Sequence, residues 1–116
     1  FTDSEEWEVE HEVDAFGVNP SKFDGAPDCA DLGELSEPAV LHNLKLRYNS
    51  KVIYTYSGLF LVAINPYVRF PIYTEDMVER YRGKRKEEIA PHVFALADAT
   101  YRSLITDHVS QSMLIT

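Results

Sequence analysis

Cysteine is nearly absent from this chain. Cys29 stands alone, so no disulfide can close within the chain and no cluster of thiolates can bind a metal. An ordinary loop thiol beside Pro27 and Asp28 is the expectation for it. Long apolar runs are missing as well: no stretch approaches the roughly 20 consecutive apolar residues of a membrane span. The opening, FTDSEEWEVEHEVD, is acidic where a secretion signal is basic and then apolar, which points to an intracellular chain with no membrane span. Neither G-x-G-x-x-G nor G-x-x-x-x-G-K-[ST] occurs, so the best-known glycine-rich phosphate cradles are not present. His11, His42, His92 and His108 show neither paired ligand spacing nor a neighbouring nucleophile, and are expected at the surface or at helix ends. No catalytic residue and no metal ligand is assigned. Internal repeats and low-complexity tracts are lacking too.

Bases are scarce in the first third of the chain. Residues 1–37 hold twelve Asp or Glu against one Lys, a charge of −11, whereas residues 38–116 hold seven acids and ten bases, a charge of +3. The acidic part would repel phosphates, which argues against a nucleic acid partner. Arg80, Arg82, Lys84, Arg85 and Lys86 cluster where a helix should end, and a solvated face there is favoured over a polyanion site because helix C-termini attract cations. With 116 residues, 45% of them hydrophobic, the chain has the size of one domain.

What is present reads as short elements joined by clear punctuation. Trp7 to Asp14 alternates large or apolar with polar side chains, as an exposed strand or extended connector would. Val18 to Gly33, rich in Pro, Gly and Asp, predicts a linker laid over a surface, with Phe23 as its anchor. Ser36 is a candidate N-cap, with Pro38 in the first turn of a helix to about Arg47 whose face of Val40, Leu41, Leu44 and Tyr48 is expected in the core. Val52–Ser57 and Leu59–Ile64 read as a hairpin reversed at Ser57-Gly58. Thr74 should cap a short helix, Glu75 to Tyr81, that ends at Gly83. Pro91 opens a longer one to about His108, with Val93, Phe94, Ala97, Tyr101, Leu104 and Ile105 as its apolar stripe. Gln111–Thr116 predicts a further buried strand.

The chemistry concentrates in Ile53 to Tyr73, IYTYSGLFLVAINPYVRFPIY. Leu59 to Ile64 is the apolar run of a strand covered on both faces, and Asn65-Pro66 stops it because proline cannot donate to a ladder. A loop leaving the end of a buried strand is where α/β proteins hold ligands. Asn65 could offer donor and acceptor to the N6/N7 edge of adenine, and Arg69 could stack on a purine or meet a phosphate. The Tyr73 hydroxyl could reach an exocyclic amine, with Tyr67 nearby. Taken alone, the same residues suit a proline-rich turn whose Asn caps a strand end and whose tyrosines pack on the sheet.

Five segments taken together carry a resemblance. LSEPAVLHNLKLRY (Leu35–Tyr48), IYTYSGLFLVAINPY (Ile53–Tyr67), PIYTEDMVERYRGK (Pro71–Lys84), APHVFALADATYRSL (Ala90–Leu104) and QSMLIT (Gln111–Thr116) follow one another in the order and spacing of the myosin motor domain. From about residue 18 onward the chain resembles that family, most closely its conventional, class II members. The resemblance implies an α/β parent domain, a P-loop NTPase motor with a central mixed sheet. For the chain itself it implies a mixed α+β piece: a hairpin, about three helices and a terminal strand. Residues 1–17 are similar, weakly, to the tail of the family's small N-terminal β-barrel, residues 18–33 to the connector after it, and residues 34–116 to the start of the motor domain.

The resemblance also assigns roles. In myosins the NPxxxxPIY loop is the purine-binding loop, so Asn65, Pro66, Arg69 and Tyr73 map onto positions around the adenine of ATP, with Tyr67 in place of an aromatic usual there. Val68 replaces a lysine common in conventional myosins, which removes one positive charge. A strand ending like QSMLIT runs into the phosphate loop in that family. Magnesium, the phosphates, actin filaments and light chains would therefore be bound by residues beyond this chain, and the chain by itself is expected to be inactive as an ATPase. A cytoplasmic, cytoskeletal location in a myosin complex follows from the same likeness. The alternative is a short non-catalytic interaction module derived from the myosin head; the coding sequence after Thr116 separates the two.

Overall fold

The structure, a computed structural model, describes residues 19–116; Trp7–Asp14 and the barrel-tail segment 1–17 lie outside the described residues. Helix α1 spans Glu37–Asn49. Ser36 starts it, its hydroxyl accepting the Ala39 N–H at 3.3 Å, and Pro38 occupies the first turn, where a missing N–H costs nothing. The helix ends as Lys51 turns left-handed (φ 62°) and the Val52 N–H bonds the Arg47 carbonyl at 3.0 Å.

The face that α1 turns inward is not the apolar one. Ala39, Asn43 and Arg47, spaced by four, are buried, whereas Leu41 is 68% exposed and Tyr48 lies at the surface. The reason is what lies opposite. The connector and the next strand present backbone carbonyls that need donors once covered. Asn43 Nδ2 donates to the Ala26 carbonyl at 3.0 Å, and Arg47 donates to the Gly25 and Tyr54 carbonyls, each at 2.9 Å, and to Thr55 Oγ1 at 2.8 Å. Satisfying those groups takes precedence over burying two more apolar side chains.

Strands β1 (Tyr54–Ser57) and β2 (Phe60–Ala63) form the expected antiparallel hairpin, Tyr54 facing Ala63 and Ser57 facing Phe60. Gly58 turns it with φ +60°, a conformation that costs a side-chain-bearing residue energy; no atom lies within 4 Å of where a Cβ would sit, so conformation alone demands glycine. The first strand is buried from Tyr54 to Tyr56 and the second is not: Leu59, ahead of it, is 95% and Phe60 76% exposed. The outer edge of β1 is covered by the connector, the Tyr56 N–H bonding the Pro27 carbonyl at 2.8 Å, while no third strand pairs with β2 among the described residues. An apolar run thus records what the strand suits, and the cover expected for Leu59–Ile64 is not supplied by these residues.

Residues 19–33 pack rather than drape. They form single 3-10 turns at Ser21–Phe23 and Cys29–Asp31. Cys29 is fully buried, against the expectation of a loop thiol, and makes a small core with Leu32 and Ala39, to which Phe23 adds as the expected anchor, together with Ala26 and Val40. Burial raises the Cys29 thiol above its usual range. Asp28 ties this segment to the hairpin: its carboxylate accepts from Ala30 N–H at 2.9 Å, Gly58 N–H at 3.0 Å and Lys86 Nζ at 2.7 Å. Burial would raise its pKa, but those bonds outweigh burial and hold it below the usual carboxylate range. Lys86 therefore leaves the solvated basic cluster to act as a tie, also donating to the Gly58 carbonyl at 2.6 Å.

Helix α2 (Glu75–Tyr81) begins at Thr74, whose hydroxyl makes no cap bond, and stops before Gly83 at φ +69°. Helix α3 (Val93–Thr106) is capped by His92 rather than opened by Pro91. Its inward face again differs from the apolar stripe: Ala95 is buried while Tyr101, Leu104 and Ile105 are exposed. Asp98 accepts from Gly83 N–H at 3.0 Å, and Arg102 binds Asp98 at 2.7 Å and the Lys84 carbonyl at 2.8 Å, so polar groups set the orientation here as on α1. Residues 111–116 carry no strand, and Leu114 and Ile115 are exposed; a lone strand without a neighbour leaves its backbone groups unpaired.

Candidate functional site

The hairpin delivers its second strand directly to the loop. The Ile64 N–H makes a last ladder bond to the Ile53 carbonyl at 2.9 Å, and Pro66 ends the pairing. Asn65 Oδ1 then accepts the Tyr67 N–H at 2.8 Å, an Asx turn. Tyr67 sits at φ 54°, a left-handed conformation unusual for a bulky side chain, with its ring 88% exposed. Strain of this kind persists where the surrounding structure holds it, often in ligand-binding segments. The Nδ2 of Asn65 donates to nothing among the described residues, and Arg69 forms no ion pair among them.

Pro66, Arg69 and Tyr73 line one concavity of about 340 Å³ with Ile53, Val68, Phe70 and Ile72. Asn65 and Tyr67 do not line it. Its walls are largely apolar with one guanidinium and one phenol, a composition typical of small-molecule sites. Tyr73 is held from behind. Its hydroxyl lies 2.6 Å from the Tyr54 hydroxyl, and its ring meets His92 and Phe94 edge-on at 5.4 and 6.0 Å. Burial first, and the Tyr73 hydroxyl second, push the Tyr54 phenol far above its usual pKa. The Tyr73 hydroxyl is therefore committed to Tyr54 through one bond and keeps one further hydrogen-bonding capacity.

His92 is the residue that sequence reasoning missed. It is at a helix end, as expected, yet it is 3% exposed and central to an aromatic cluster. Its Nδ1 accepts the Phe94 N–H at 3.0 Å, so the ring proton lies on Nε2, which donates to the Ile72 carbonyl at 2.8 Å. Ring centroids of Tyr54, Tyr81 and Phe94 lie 5.0, 4.9 and 4.4 Å away. Burial lowers its pKa below the usual histidine range, with the Ile72 bond opposing in part. The available signals were the position of His92 just ahead of an apolar helical pattern and the alternation that puts Tyr54 and Tyr56 on one strand face.

These residues fit a flat heteroaromatic ring. Apolar walls would cover its faces and Arg69 could stack or bind at the rim, while Asn65, outside the concavity but next to Pro66, keeps an unspent Nδ2 donor. A hairpin feeding such a loop, braced by three helices, defines a mixed α+β unit with a candidate nucleobase site.

Comparison with known proteins gives the family. Residues 26–116 match the myosin head (motor domain). The chain is 52% identical over 112 residues to the non-muscle myosin-2 heavy chain of Acanthamoeba castellanii, covering 97% of this chain and 7% of that protein. It is 56% identical over 99 residues to human Myosin-14, covering 85% of this chain and 5% of that protein. With myosin type-2 heavy chain 1 of Schizosaccharomyces pombe it shares 53% over 107 residues, 92% of this chain and 7% of that one. The chain belongs to the myosin head family, on its class II side. It spans about 5–7% of the length of these relatives.

Proposed function

We propose that this chain is part of the head of an actin-based, ATP-driven motor and that it contributes the adenine-binding loop. The observation that carries this is the single concavity shared by Pro66, Arg69 and Tyr73 at the end of β2, within the stretch that matches the family. Arg69 would cover a purine face or its rim, Pro66 and Tyr73 would wall the ring, and Asn65 Nδ2 would donate to a ring nitrogen. The nucleotide, with magnesium, supplies the phosphoryl chemistry when bound. This chain's own part is to bind and orient the base and to keep water from its apolar walls.

Residues 18–33 act as the connector and residues 34–116 as the start of the motor domain, with 1–17 assigned to the tail of the barrel before it. The apolar, half-open β2 favours a sheet completed by further strands of the same heavy chain. Phosphate and magnesium binding, actin, light chains and a cytoskeletal location in a myosin complex belong to the whole heavy chain. Photolabelling of a head containing this sequence with an azido-adenine nucleotide tests the site. Label recovered within 65–73, and displaced by ATP, is the expected result; label confined to other segments would refute it.

A further inference from the structure

We propose that His92 is a positioning residue for the nucleotide loop, its neutral imidazole holding Ile72 and Tyr73 in place against the start of α3. This rests on the adenine-site reading above and deepens it.

His92 touches the loop and three of the elements around it, β1, α2 and α3. One nitrogen caps α3 through Phe94 N–H and the other donates to the Ile72 carbonyl, so the two ends of the ring join the helix to the loop by direct bonds at 3.0 and 2.8 Å. The ring also backs Tyr73, which lines the concavity, and contacts Tyr54 of β1 and Tyr81 of α2. A cap alone would need no such reach: Asn, Asp or Ser caps a helix as well, with a shorter side chain. Imidazole is the side chain that accepts at one position while donating about 2 Å farther on.

The arrangement works in one protonation state. A proton on Nδ1 would point at the Phe94 N–H and break the cap. The groups facing the ring are the phenols of Tyr54, Tyr73 and Tyr81 and the carbonyl of Ile72, with the Tyr56 hydroxyl close to the His92 backbone N–H. Among the described residues no carboxylate pairs with the ring to favour a cation. Burial favours the neutral form in the folded state, so the unfolded chain takes up a proton first. Stability is therefore full above about pH 6.5 and declines below it, while the loop of the folded protein loosens only as the pH falls through the lowered folded pKa of His92.

The test uses a myosin head containing this sequence and compares binding of ADP with binding of pyrophosphate, which lacks the base. His92→Asn keeps the helix cap and gives up the bond to Ile72. It should weaken ADP binding about five- to tenfold, leave pyrophosphate binding unchanged, and abolish the loss of ADP affinity expected of the unmodified head as the pH falls through the lowered folded-state pKa of His92. Asn65→Ala with Arg69→Ala serves as the control for the site itself. If the control lowers the ADP-to-pyrophosphate affinity ratio and His92→Asn does not, the role of His92 is overturned. If His92→Asn weakens both ligands equally, its role is structural and the proposal also fails. If the control leaves the ratio unchanged, the loop is not an adenine site and both readings fall.

Discussion

Replacing Arg47 with methionine should loosen the seam between α1, the connector and β1. The guanidinium donates to Thr55 Oγ1, the Tyr54 carbonyl and the Gly25 carbonyl at 2.8, 2.9 and 2.9 Å. Methionine fills similar space, and it also removes a charge that burial disfavours, as the downward shift of the Arg47 pKa indicates. Three acceptors lose their donor. Gly25 is partly exposed and can turn to water, whereas Thr55 is 1% exposed and Tyr54 is buried, so two acceptors are stranded. At about 1–3 kcal/mol for each orphaned buried group, and with the relief of desolvation set against that, the net cost is about 3 kcal/mol. That corresponds to roughly 100-fold in the local opening equilibrium. Hydrogen exchange in a head containing this sequence reads it without requiring two-state unfolding. Amides of 52–57 should exchange about 100-fold faster in R47M, while α3 amides keep their protection. R47K, with one ammonium for three acceptors, should fall between. Exchange over 52–57 within about threefold of the unmodified protein would refute the reasoning.

Asp28→Asn removes a carboxylate whose folded pKa lies below its unfolded value. That stabilisation is complete above about pH 4 and is lost as the pH falls through the folded pKa, so acid unfolding should be less steep in D28N over that range. Gly58→Ala meets no atom but forces alanine to φ +60°, so hairpin amides should lose about 1 kcal/mol of protection, with no change at α1. Ser36→Ala removes a cap whose bond is long at 3.3 Å, which should cost about 0.5–1 kcal/mol at the first turn of α1, seen as faster exchange at Ala39 and Val40.

Local punctuation was legible in the chain. Ser36 with Pro38, the reversal at Gly58 and the stop at Gly83 all act through backbone conformation within a few residues, and each falls where expected. The faces of α1 and α3 were not legible, because hydrophobic periodicity assumes that burial follows apolarity. Here Asn43 and Arg47 turn inward, and Asp98 and Arg102 bond nearer the surface, to backbone groups of segments distant in sequence, and no local pattern records those partners. The site divides the same way. Pro66, Arg69 and Tyr73 share a loop and were found together, while His92 and Tyr54 join them through contacts across 20 and 19 residues. A buried histidine with both nitrogens committed looks in sequence like any helix-end histidine.

The most direct measurement of the central claim is an experimental structure of a myosin head containing this sequence with an adenine nucleotide bound. The base should occupy the concavity lined by Pro66, Arg69 and Tyr73, with Asn65 Nδ2 donating to a ring nitrogen and His92 Nε2 still bonded to Ile72. A base seated elsewhere, with residues 65–73 free of nucleotide contacts, would contradict the account.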